Sequence, residues 1–142
     1  MPLGHIGLSV GDLGRAKAYY DGLMPLVSYV PFFAADDQFS YVPADDQPGT
    51  WIFFYKASER GEYSRHRPGL QHLAFMVTSR DAVHGAHEWA QGQGSEVLHA
   101  PREFPEYHEG YYAAFWIDPE GFMLEVVCHR DATTDVQSTP GT

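Results

Sequence analysis

The sequence contains one cysteine, Cys128, so no intrachain disulfide and no paired-cysteine zinc motif is available to it. It has no uninterrupted apolar run of about 18 residues, the minimum for a membrane helix, and its mean hydropathy is -0.34. The opening stretch MPLGHIGLSVGDLG has neither a basic n-region nor a long apolar h-region. These absences lead to the expectation of a cytoplasmic protein with no membrane role. Cations are scarce too: nine Lys and Arg stand against nineteen Asp and Glu, a net charge of -10. Most of such a surface would repel a phosphate backbone, which argues against nucleic acid as a partner. No P-loop and no complete dinucleotide fingerprint occurs. Gly7-Leu8-Ser9-Val10-Gly11 matches a nucleophile elbow in letters only, because Ser9 falls inside a strand pattern and not at a sharp strand-to-helix turn.

What the chain does have is length, apolar content and repetition. Its 142 residues and 44% hydrophobic content suffice for one domain with its own core. His5 to Val10 alternates with a period of two, placing Ile6, Leu8 and Val10 on one face and His5, Gly7 and Ser9 on the other. Asp12 then takes an N-cap position before Leu13, Ala16, Tyr19, Tyr20 and Leu23 at helical spacing, and Gly22 and Pro25 end the run. Extended runs follow at 27–33, 39–42 and 50–56. The plan recurs 67 residues later. His72 to Val77 alternates, Ser79 caps a helix striped by Val83, Ala86 and Ala90, and Gly92 and Gly94 close it. Val97 to His99 makes a short strand, and 111–117 with 122–128 a hairpin around Asp118-Pro119-Glu120-Gly121. The expected fold is therefore α+β, two βαβββ modules forming a curved mixed sheet around a shared cleft. The boundaries are module 1–56, a charged linker 57–68, module 69–130 and a flexible polar tail 131–142.

A four-residue turn in the hairpin sets Ala114 opposite Glu125, so Glu125 is expected to share an inner face with Tyr112, Ala114 and Trp116. His5 and His72 hold equivalent places on equivalent strands, and each is followed on its own face by a small residue, Gly7 or Ala74. Two imidazoles and one carboxylate form the facial triad that binds Fe(II) and similar ions with positions left open. A metal would also remove the several kcal/mol that an isolated buried carboxylate costs. Each residue alone is better explained as a hydrogen-bonded core histidine, or as a Glu125–Arg102 pair. Three at symmetry-related places favour the metal. His84 and His87 read as a solvated helix face, and His66 and His99 have no partner that spacing identifies. Tyr107, His108, Tyr112, Arg102 and Trp116 flank or belong to the hairpin that carries Glu125. Of these, His108 and Tyr112 are the candidate proton carriers, and Arg102, Tyr107 and Trp116 candidate substrate contacts.

HIGLSVGDLGRAKAYYDGLM, LQHLAFMV and YYAAFWIDPEGFMLEVVCH carry a resemblance to the vicinal oxygen chelate superfamily of glyoxalases, extradiol dioxygenases and bleomycin- and fosfomycin-resistance proteins. The resemblance spans residues 1 to about 130. It implies ligands at His5, His72 and Glu125, a divalent ion (Fe, Mn, Ni, Zn or Co), a small-molecule substrate bound through adjacent oxygens, and a homodimer. Glyoxalase I has a fourth protein ligand on the last strand of its first module. Aligning Gly49 with Gly121 puts Phe53 at that place, which points toward the three-ligand dioxygenase pattern and makes Phe53 a candidate substrate contact. The implied reaction is isomerase or lyase chemistry, or ring-cleaving dioxygenation. The alternative is a metal-free small-molecule binding protein of the bleomycin-resistance kind.

Overall fold

The structure is a computed structural model that describes residues 2–132; the expected tail lies outside the described residues from 133 on. The chain divides into two compact units, the first ending at Ser64 and the second beginning at Arg65. The first holds β1 (His5–Val10), α1 (Leu13–Leu23), β2 (Tyr29–Ala34), β3 (Gln38–Pro43) and β4 (Trp51–Lys56). The second holds β5 (Leu73–Met76), α2 (Arg80–Gly92), β6 (Glu96–Glu103), β7 (Tyr112–Ile117) and β8 (Met123–Cys128). Both are βαβββ, as the repeat implies, and both are four-stranded mixed sheets: β1-β4-β3-β2 and β5-β8-β7-β6. Among the described residues no helix is long and apolar enough to cross a membrane.

Local chemistry accounts for the helix starts. Asp12 accepts a hydrogen bond from the Arg15 amide at 3.0 Å, and Ser79 accepts one from the Ala82 amide at 3.1 Å. In the first unit, Leu8 and Val10 are buried with Ala16, Tyr19, Tyr20 and Leu23, whereas His5, Gly7 and Ser9 are exposed. In the second unit, α2 lays Val83, Ala86 and Ala90 on the sheet face that carries Ala114, Trp116, Leu124 and Val126, all fully buried. His87 is buried in the same helix and its Nε2 has no hydrogen-bond partner among the described residues. The expectation of a solvated His84/His87 face therefore holds for His84 alone.

The first strand of each unit pairs in parallel with its last strand. Gly7 lies beside Phe53 in one unit and Ala74 beside Glu125 in the other. His5 and His72 each stand two residues before those positions. The two units thus present His with Phe53, and His with Glu125, at matching places.

The hairpin register differs from expectation by one residue. Phe115 lies opposite Glu125, Trp116 opposite Leu124 and Tyr112 opposite Cys128. The buried Asp118 causes this: its Oδ1 accepts from the backbone amides of both Glu120 and Phe122, drawing Phe122 into the turn. Gly121 supplies the left-handed residue, with φ 96°. The side chains of β7 consequently exchange faces. Tyr112 and Trp116 go to the α2 side, and Ala113 and Phe115 join Glu125.

Candidate functional site

Glu125 is 2% exposed, and a carboxylate so far from water needs partners. It has two. The Tyr111 hydroxyl donates to Oε2, and His72 Nε2 lies 3.3 Å from Oε1. Tyr111 sits one residue ahead of β7 and shares the parity of Ala113 and Phe115, so the observed register is what turns it toward Glu125. Burial, with the Glu125 carboxylate second, pushes the Tyr111 hydroxyl well above the usual tyrosine range, so it is a hydrogen-bond donor at neutral pH.

His72, one residue ahead of β5, is itself oriented. Its Nδ1–H donates to the Gln71 side-chain oxygen, which fixes the ring with Nε2 toward Glu125. Nε2 and Glu125 Oε1 then face each other, an arrangement that is stable around a cation or a proton held between them. Imidazole nitrogen plus carboxylate oxygen, each held by an outer hydrogen bond, is a donor set that suits first-row divalent metals. Among the described residues no group of three or more His, Cys, Asp or Glu is close enough to hold a metal ion. His72 and Glu125 are a pair of such donors and not a complete ligand set.

The pair opens on a cavity of about 780 Å³ within the second unit, in the size range of small-molecule sites. Leu98, Phe104, Phe115 and Met123 form its apolar wall, and His99 stands edge-on to Phe104 and Phe115 at 5.6 Å from each. Tyr107 stacks on Phe104 at 5.7 Å and meets Tyr111 at 5.0 Å. Arg65 and His66 line it as well.

Of the residues singled out from the sequence, His72, Glu125 and Tyr107 are brought together here. His5 lies in the first unit, exposed on β1 with its ring 5.5 Å from that of Phe53. Tyr112 and Trp116 do not share the Glu125 face. Tyr112 hydrogen-bonds His84 at 2.7 Å with Arg80 over its ring, and Trp116 is buried under α2. His108 does not line the cavity. Its Nδ1–H donates to the Glu109 carbonyl at 2.8 Å and its Nε2 accepts from His129 Nδ1 at 3.0 Å, so both nitrogens are engaged. Arg102 lies over the Phe104 ring and bonds the Glu103 carbonyl at 2.7 Å, and Glu106 is its carboxylate neighbour, not Glu125. Sequence reasoning misses Tyr111, Gln71, Phe115 and the cavity-lining His66 and His99. Parity identifies Tyr111 and Phe115 once the turn is counted as five residues.

Comparison with known proteins bears on the family and the fold. The family model for the Glyoxalase/Bleomycin resistance protein/Dioxygenase superfamily matches residues 3–126. The uncharacterized protein YqjT of Bacillus subtilis (strain 168) is 28% identical over 126 residues, covering 87% of this chain and 95% of its own. A glyoxalase/bleomycin resistance protein from Albidiferax ferrireducens superposes with a TM-score of 0.75 at 18% identity, over 90% of this chain and 99% of its own. The fosfomycin resistance protein FosX from Listeria monocytogenes gives 0.64 at 20% identity, over 89% and 91%. The two solved structures establish the likeness of fold.

Proposed function

The chain belongs to the Glyoxalase/Bleomycin resistance protein/Dioxygenase superfamily, and from that premise we propose that it is a divalent-metal-dependent enzyme acting on a small molecule through two adjacent oxygens. The carrying observation is the His72–Glu125 pair, an imidazole nitrogen and a carboxylate oxygen 3.3 Å apart at the edge of an aromatic cavity. The ligand set of this reading is His72 and Glu125 with His5, the last supported by its matching place on β1. A divalent ion held by them supplies Lewis acidity toward vicinal oxygens. The homodimer in this reading rests on the family.

The protein's own contributions follow from the geometry. Tyr111 fixes the Glu125 carboxylate by holding Oε2, so that Oε1 faces His72. Gln71 fixes the His72 ring. Phe104 and Phe115, both buried, make the wall apolar, and the exposed Tyr107 ring is free to meet the substrate. Tyr111 is also the hydroxyl nearest the carboxylate and takes the proton-positioning role that sequence parity gives to Tyr112. The reaction is isomerase or lyase chemistry, or ring cleavage with dioxygen.

The test is reconstitution. Chelator-stripped protein is reloaded separately with Fe(II), Mn(II), Ni(II), Zn(II) or Co(II) and offered hemithioacetals, epoxides with a thiol, and catechols. Turnover that appears only with metal and is lost in Glu125→Ala supports the proposal. Ligand binding that is indifferent to chelator, with no turnover under any metal, would instead indicate the metal-free binding protein.

A further inference from the structure

Arg65 is a cavity residue whose charge nothing in the described protein answers. Its side chain is half-buried, shares the cavity with Leu98, Phe104, Phe115 and Met123, and has no hydrogen bond or ion pair with any described residue. The lining residues include one carboxylate, Glu125, whose two oxygens face Tyr111 and His72. A guanidinium drawn partly out of water beside an apolar wall costs free energy unless an anion meets it. Among the described residues no Asp or Glu other than Glu125 lines the cavity. Arginine's planar fork matches a carboxylate with two parallel hydrogen bonds. The rings of Phe104, Tyr107, Tyr111 and Phe115, with Leu98 and Met123, give the cavity a part that matches a flat apolar body, beside the imidazoles of His66, His72 and His99 and the amide of Gln71.

We propose that the cavity takes an aromatic carboxylic acid, with the carboxylate paired to Arg65 and the ring among Phe104, Tyr107 and Phe115. This rests on the reading of the cavity as the substrate site and narrows the substrate class. Arg65 is then the specificity-determining residue. It rejects a neutral ligand of the same shape by being left unpaired, the asymmetry that makes polar recognition selective.

Two probes of equal shape isolate the charge: 2-naphthoate and 2-naphthamide, titrated calorimetrically into full-length protein in the presence of chelator. The expected result is that naphthoate binds at least about tenfold more tightly than the amide, the fold-change that one charge-assisted hydrogen bond gives. Arg65→Gln should abolish that preference, weakening naphthoate binding and binding the amide at least as tightly as the parent does, and Arg65→Lys should retain part of it. Equal affinity for the two probes, no binding of naphthoate, or a preference that survives Arg65→Gln overturns the proposal. Because chelator is present throughout, the outcome is independent of the metal. Arg65-dependent naphthoate binding by a protein that takes up no metal would keep the ligand class and refute the metalloenzyme, and the converse result would do the reverse.

Discussion

Replacing Tyr111 by Phe removes one hydroxyl and leaves the ring contacts with Tyr107, His108 and Phe104 in place. What is lost is a hydrogen bond to a carboxylate that is 2% exposed, so water cannot fully replace it. A hydrogen bond to a charged group contributes about 1.5–3 kcal/mol. For a chain approaching 150 residues each kcal/mol moves Tm by roughly 2–4 °C, so thermal unfolding in chelator should fall by roughly 3–12 °C. The same change frees Glu125 to turn away from His72. Losing such an outer hydrogen bond weakens metal binding by about 10–100-fold, read by competition against a chelating dye. The two readouts are separable because the first is taken without metal. An unchanged Tm together with an unchanged metal affinity would refute the reasoning, since a hydroxyl bonded to a buried carboxylate cannot vanish without cost in both.

Phe53→Glu puts a carboxylate at the place in the first unit that Glu125 holds in the second, and should tighten metal binding. An isomerase should keep or gain turnover and a dioxygenase should lose it, whereas no change in either quantity would place Phe53 outside the site. Tyr41 donates to Asp21 Oδ1 at 2.7 Å, and burial, then that carboxylate, raises its hydroxyl far above the ordinary value. Its contribution to stability is complete below about pH 10 and declines as pH rises toward the folded value. Urea midpoints should therefore drop less between about pH 9 and about pH 11 in Tyr41→Phe than in the parent. His87 is shifted the other way, lowered first by burial and then by His84. The unfolded chain therefore binds the proton more readily, and stability present at neutral pH is lost as pH falls below about 6.5. His87→Leu, which also removes an unpartnered buried nitrogen, should flatten that acid limb of the urea midpoints.

Periodicity carried the fold because the inner and outer faces of His5–Val10 and Leu73–Met76 alternate cleanly and both helices have side-chain caps. It also placed His72, since a lone histidine ahead of a half-buried strand is unambiguous in parity. The hairpin differs by one residue because Asp118 accepts two backbone amides, and a side chain that accepts within a turn changes loop length without changing the Asp-Pro-x-Gly signature. That one slip exchanges Tyr111 for Tyr112 and moves Trp116 from the cavity to the helix side, as a period of two requires. Arg65 and His66 are hidden for a different reason. Their charged segment has no apolar period, so nothing local distinguishes a linker from a cavity wall. His87 is hidden because helical spacing next to Glu88 looks solvent-facing, whereas the packing of α2 on the sheet of β6, β7 and β8 decides its burial.

The central claim is a metal held by His72, Glu125 and His5. It is tested most directly by elemental analysis of chelator-stripped protein re-equilibrated with divalent metal, with oligomeric mass recorded on the same samples. The parent should hold one ion per chain, and His5→Ala, His72→Ala and Glu125→Ala should each lose it, because two protein ligands leave too few bonds to retain the ion. His84→Ala, on the exposed side of α2, should keep it. Equal metal content in the parent and all four variants would contradict the account.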